Sequence, residues 1–167
     1  VYRVSMKRAR QIVQPILPWL KGQTGNLLDF GSGLGHIAYI IGQETGREIT
    51  GLDVRKYPYT CPGVTIELFD GATIPFHDGA FDTTIIFLVL HHTPDPRASL
   101  QEVLRVSRRN ILICEDLLVT RKQVPADIIK DSIANGFLPH MTLQYHTEAE
   151  WEEMFQQLGL AIMEKTY

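Results

Sequence analysis

Long apolar runs, paired cysteines and a basic excess are all missing from this chain of 167 residues. The longest apolar stretch, Phe81 to Leu90, is half the roughly 20 residues a membrane-spanning helix needs. No signal-peptide pattern follows Val1, and an opening on Val instead of Met suggests a processed or trimmed piece. The two cysteines, Cys61 and Cys114, have no metal or redox spacing, and Cys114 inside ILIC reads as core packing. A reducing, cytoplasmic setting fits that usage. Sixteen Lys and Arg against 19 Asp and Glu give a net charge of -3, with no field to attract nucleic acid. The cluster Arg105, Arg108 and Arg109 reads instead as the cationic end of a helix. Repeats and low-complexity segments are absent, and the histidines show no zinc-type spacing, so no metal site is expected. What remains is a globular composition, 44% hydrophobic and 21% charged, of a size that fits one domain over residues 1–167.

Apolar periodicity divides the chain into alternating strands and helices. Met6 to Leu20 has helical spacing at Ile12, Val13, Ile16, Leu17 and Leu20, but Pro15 and Pro18 predict a short, kinked or broken helix. Strands are expected at Asn26–Phe30, Glu48–Asp53, Val64–Phe69, Phe81–Leu90, Ile111–Glu115 and Leu160–Lys165. Helices are expected at Leu34–Glu44, ended by Gly46, and at Arg97–Val106. A last helix should start at Thr147, whose spacing to Glu150 is a capping box. Its buried face would be Trp151, Met154, Phe155 and Leu158, with Gly159 ending it. The continuous hydrophobicity of Phe81–Leu90 suits a central strand covered on both faces. This order implies a parallel α/β sheet.

In such sheets ligands sit beyond the carboxyl ends of the strands, and polar residues collect there. Asp29 lies in the first strand, Asp53 ends the second, Asp70 follows the third, His91 and His92 the fourth, and Glu115 and Asp116 the fifth. The phrase LLDFGSGLG, Leu27 to Gly35, runs from buried strand through a glycine turn into a helix start at Ile37, Ala38, Ile40 and Ile41. Glycine permits positive φ and close approach of a ligand to the backbone, and the first N–H groups of the helix face that ligand. The loop lacks the Lys-Ser/Thr of a P-loop, and the sixth place of a dinucleotide fingerprint is His36, too large for close helix–strand contact. An acid before the glycines repels a pyrophosphate and suits an ammonium or sulfonium.

Four segments together resemble the class I S-adenosylmethionine-dependent methyltransferases, in particular the small-molecule group that includes the quinone-biosynthesis enzymes. They are LLDFGSGLG, ITGLDV, ELFDGATIPFHDGAFD and FLVLHHTPDPRASLQEVLRVSRRNILICED, within Leu27 to Asp116. The resemblance implies a Rossmann-like, doubly wound, mostly parallel sheet in three α/β/α layers, and S-adenosylmethionine as cofactor. It implies that Asp29, Gly31, Ser32, Gly33 and Gly35 hold the methionine portion. Asp53 would bond the ribose hydroxyls beside Val54. Asp70 would accept from the adenine amino group, Gly71 or Ala72 would offer a backbone N–H, and Phe87 or Leu88 would underlie the amino-acid end. Where the family often has a Lys-Pro-Gly-Gly turn after the fourth helix, this chain reads SRRN at Ser107–Asn110, expected to be a different turn and not a lost site. It stops at Tyr167, before the family's final antiparallel strand, which would leave a sheet edge open to pairing in a homodimer.

His91 and His92 are the candidates for a general base, with packing or capping roles equally open to them. The insert Leu118–Tyr145, with Phe137, Leu138, His140, Met141, Leu143 and Tyr145 and followed by His146, could lid a small organic acceptor or merely pack on the sheet. Methyl transfer to oxygen, nitrogen or carbon of a small molecule leads. A non-catalytic cofactor-binding scaffold and a nicotinamide-dependent oxidoreductase are the alternatives, with no nucleic-acid or membrane partner expected.

Overall fold

The computed structural model describes residues 5–118 and 144–167. Five strands, β1 (Leu27–Phe30), β2 (Ile49–Asp53), β3 (Thr65–Leu68), β4 (Phe81–Phe87) and β5 (Ser107–Cys114), form one parallel sheet in the order β3-β2-β1-β4-β5. Parallel pairing throughout puts every carboxyl end on the same rim, so the polar residues after the strands become neighbours. β1 and β4 are buried along their whole length, as central strands covered on both faces must be. On one face α1 (Met6–Gly22) and α2 (His36–Thr45) bury Val13, Leu17, Ile37 and Ile41 against Leu27 and Ile85. On the other, α3 (Pro96–Val106) and α4 (Glu148–Gln157) bury Leu100, Val103 and Trp151 against Leu28 and Ile86. None of the described helices is long and apolar enough to cross a membrane.

Several boundaries differ from those the sequence suggests. α1 runs unbroken through Pro15 and Pro18. Both prolines lie on its exposed side, where water can satisfy the freed carbonyls, while Ala9, Val13, Leu17 and Leu20 hold the opposite face in the core. β4 stops at Phe87 because Leu88 turns left-handed, at φ 57°, and Leu90–His92 forms a 3-10 turn. β5 starts at Ser107, so Arg108 and Arg109 lie on a strand, and only Arg105 occupies the last turn of α3. SRRN is thus strand and not a turn.

The expected strand Leu160–Lys165 is not formed. Its residues have no partner strand among those described, and Ala161 to Lys165 lie exposed, with Lys165 bonded to Glu148 and Glu152 of α4. The capping box at Thr147 and Glu150 does form, and Gly159 follows α4 at φ 75°. Residues 119–143 of the insert, including Phe137, Leu138, His140, Met141 and Leu143, lie outside the described residues.

One surface network fixes a loop that reaches the rim. Arg105 donates to the carbonyls of Ile74 and Phe76 and to Glu102 and Asp78, while Glu102 accepts from the Ile74 N–H at 2.8 Å. The same loop is anchored by Ile74 in the core and by an edge-on contact of Phe76 with Phe81, 4.9 Å between centroids. Arg105→Ala strips two carbonyls and two carboxylates of their donor. It should destabilise the fold by about 1–3 kcal/mol, a fall in Tm of roughly 3–8 °C; thermal denaturation measures it.

Candidate cofactor site

The glycine turn is stapled to the neighbouring strand before any ligand is considered. The N–H groups of Gly31 and Ser32 donate to the Leu52 carbonyl at 2.8 and 3.0 Å, and the Gly33 N–H donates to Asp53 Oδ2 at 2.8 Å. Asp53 Oδ1 accepts from the Arg55 N–H at 2.9 Å. The Val54 N–H also favours the ionised Asp53, so three backbone donors gather on this carboxylate.

Gly31, Gly33 and Gly35 all have positive φ, but space is left for different reasons. A Cβ on Gly31 would lie 2.4 Å from Val89 Cγ2, and one on Gly35 would lie 2.9 Å from Val64 Cγ1. These two glycines admit protein side chains. Among the described residues, a Cβ on Gly33 would meet nothing within 4 Å. The open corner of the loop is therefore at Gly33, beside Asp53.

Under the turn lies Asp29, only 2% exposed. Burial, chiefly, and the nearby Asp53 raise its carboxyl to about 7, although Ser32 Oγ donates to Oδ2 at 2.8 Å. Burial also raises Asp53, against the pull of the Gly33 and Arg55 N–H groups. Gly51 is a site residue that the sequence reading passed over. A Cβ there would come 2.8 Å from Ser32 Oγ, so glycine makes room for the hydroxyl that bonds Asp29. A glycine inside a strand, with no bulge to explain it, was the available signal.

The remaining candidates follow the other strands on the same rim. Val54 is 54% exposed next to Asp53. Asp70 is exposed and caps its own turn, accepting from Ala72 and Thr73 at 2.8 Å each, which holds its carboxyl below the usual range. The Ala72 N–H is thereby engaged, and of the pair named from the resemblance Gly71 has the N–H that Asp70 does not take. Phe87 and Leu88 are buried, and the left-handed Leu88 donates its N–H to the Cys114 carbonyl at 2.8 Å.

On the β4 side, His91 is 1% exposed and bonds Glu115 through Nδ1 at 2.5 Å. Its ring stacks on Tyr145 at 5.2 Å and lies 4.0 Å from that of His92. Burial, and then the neighbouring His91, push His92 down to about 3, so it is neutral at pH 7. Burial pushes the Cys114 thiol up to about 11, which leaves it unreactive at pH 7. His146 packs on Trp151 of α4, away from any described cluster of metal-ligating groups.

The methyltransferase domain family matches residues 28–114, just over half the chain, from β1 to the end of β5. The chain belongs to this family of S-adenosylmethionine-dependent methyltransferases. An S-adenosylmethionine-dependent methyltransferase from Archaeoglobus fulgidus shares the fold, with a TM-score of 0.71 at 19% identity over 95% of this chain and 70% of that one. A second, from Aquifex aeolicus, gives 0.68 at 14% identity over 96% and 90%. The YcgJ protein of Bacillus subtilis gives 0.68 at 21% identity over 89% and 69%. No curated protein sequence matches the chain.

The cofactor of the family is S-adenosylmethionine, and the residues present fit it. The corner at Gly33 has no side chain to fill it, and the two carboxylates beneath and beside it favour a ligand with ammonium and sulfonium charges.

Two predictions follow from this geometry. Gly33→Ala should lower S-adenosylmethionine affinity while the strained φ costs about 1–2 kcal/mol of stability; Gly31→Ala, driven into Val89, should destabilise more, and calorimetry with thermal melts separates the two. Because the folded Asp29 carboxyl sits near 7, above its value of 3.8 in the open chain, its stabilising effect is full below pH 4 and lost as pH rises through about 7. A bound cation reverses that balance by favouring the carboxylate. Affinity for S-adenosylmethionine should therefore rise through pH 6 to 8, and Asp29→Asn should flatten the rise in a calorimetric pH series.

Proposed function

We propose that this protein transfers a methyl group from S-adenosylmethionine to an oxygen, nitrogen or carbon nucleophile of a small organic molecule. The observation that carries the reading is the open, side-chain-free corner at Gly33 beside the buried Asp53 carboxylate. When bound, the cofactor supplies a methyl already activated on a sulfonium. The chain's contribution is then mainly alignment, a source of many kcal/mol of acceleration when two reactants are held in line. Asp53, held in place by the Gly33 and Arg55 N–H groups, would accept from the ribose hydroxyls, with Val54 against the adenine. Asp70 and Gly71 would meet the adenine edge. Asp29, through Ser32, and the glycine turn would hold the cationic amino-acid end above Phe87 and Leu88.

The acceptor side is the turn after β4. His92, neutral and with neither ring nitrogen hydrogen-bonded among the described residues, suits a hydrogen bond to a polar acceptor. A group titrating near 3 is a weak base, which favours His91 for any proton removal. The net charge of -3 and the lack of a basic groove support a small molecule over a nucleic acid.

Calorimetry with S-adenosylmethionine, followed by a methyl-transfer screen over phenols, amines and carbon acids, tests the proposal. Tight binding with no turnover on any acceptor would favour a scaffold. Asp53→Ala should weaken cofactor binding by about 1–3 kcal/mol, the loss of a buried polar pair, and should also lower the melting temperature, because the Gly33 and Arg55 N–H groups lose their acceptor; unchanged affinity removes Asp53 from the ribose.

A further inference from the structure

Glu115 follows directly on β5 and is the polar residue at the rim with the most partners and no part in the function proposed above. Its side chain is 3% exposed. Oε1 accepts from the N–H groups of Val89 and Leu90 at 2.8 and 2.7 Å, and Oε2 meets His91 Nδ1 at 2.5 Å. Three consecutive residues of the turn after β4 thus converge on one carboxylate. The turn starts at the left-handed Leu88 and closes its own 3-10 bonds, His92 N–H to the Val89 carbonyl at 2.9 Å and Thr93 N–H to the Leu90 carbonyl at 3.0 Å; Glu115 is the side chain that ties Val89, Leu90 and His91 to the end of β5. A buried carboxylate that accepts several N–H donors is a fixed anchor, because leaving it or its donors unpaired is expensive.

The same turn has two working sides. Val89 fills the space that a Cβ on Gly31 would need, so the position of Val89 is the back wall of the glycine loop. His91 and His92 form the acceptor side, and the His91 carbonyl in turn accepts from the Gln144 N–H at 2.7 Å. We infer that Glu115 is the positioning residue that sets the cofactor wall and the acceptor-side imidazole together, holding the backbone of the turn with one oxygen and the Nδ1 proton of His91 with the other. The cofactor half of this inference rests on the function proposed above. The imidazole half does not.

Glu115→Gln and Glu115→Ala separate the two halves. Glutamine keeps one acceptor oxygen for the Val89 and Leu90 N–H groups but turns an NH2 donor toward His91. The turn should hold while Nδ1 becomes an acceptor and loses its proton. Alanine removes both supports. Long-range nitrogen–proton NMR of the assigned histidines should find Nδ1 of His91 protonated in the parent chain and unprotonated in E115Q. Calorimetry with S-adenosylhomocysteine should find E115A weakened by about tenfold or more, the scale of a misplaced positioning wall, and E115Q weakened far less. His91 still protonated at Nδ1 in E115Q would overturn the inference, as would an E115A that binds like the parent. If E115A does not fold, the NMR of E115Q decides alone. Absence of S-adenosylhomocysteine binding by the parent chain would defeat the proposed function, and the NMR result would still stand on its own.

Discussion

Two carboxylates kept largely out of water at the ends of adjacent strands set the terms for everything else on the rim. Asp29 and Asp53 repel each other, and burial penalises their charge further. The chain tolerates them by spending local donors: the Ser32 hydroxyl on Asp29, and the Gly33 and Arg55 N–H groups on Asp53. Those donors are in place only because the glycine loop is bonded to the Leu52 carbonyl and because Gly51 has no side chain to displace Ser32. The loop conformation, the strand pairing and the charge of the site are therefore one construction. A cationic ligand relieves its main stress.

The sheet makes that construction possible by simple geometry. Parallel strands all finish on one side, so residues far apart in sequence become a continuous rim. The two helical layers shield both faces of β1 and β4, which is what dries the carboxylate of Asp29. The loop bearing Asp70 is not part of either layer. It depends on the Glu102–Arg105 pair on α3, so a surface ion pair governs one edge of the site.

Much of this was legible in the residues. Strand order of appearance, the glycine turn, Asp53 and the capping box at Thr147 all follow from short-range patterns that tertiary packing did not override. What was hidden depended on three-dimensional neighbours. The apolar start of Leu160–Lys165 looks like a strand, but a strand needs a partner, and none of the described residues provides one. Pro15 and Pro18 look like helix breakers until their exposed side is known. The three loop glycines look equivalent, and only the positions of Val89 and Val64 distinguish Gly31 and Gly35 from Gly33. Glu115 was visible as an acid at a strand end, but its three donors come from residues some 25 positions earlier, and no local pattern reports them.

The rim discriminates by charge as well as by shape. A nicotinamide dinucleotide would bring its pyrophosphate to the glycine turn, next to Asp53 and above Asp29, where each carboxylate resists losing water and resists a second anion more. No lysine or arginine is drawn into the loop itself to offset that repulsion; its residues from Gly31 to Gly35 are glycine, serine and leucine. A nucleoside joined to a cationic amino acid would meet the opposite situation, since under the proposed function its ribose hydroxyls would donate to Asp53 while its ammonium and sulfonium would offset both carboxylates. The same burial that raises both carboxyls makes the rim a better host for a cation than for an anion.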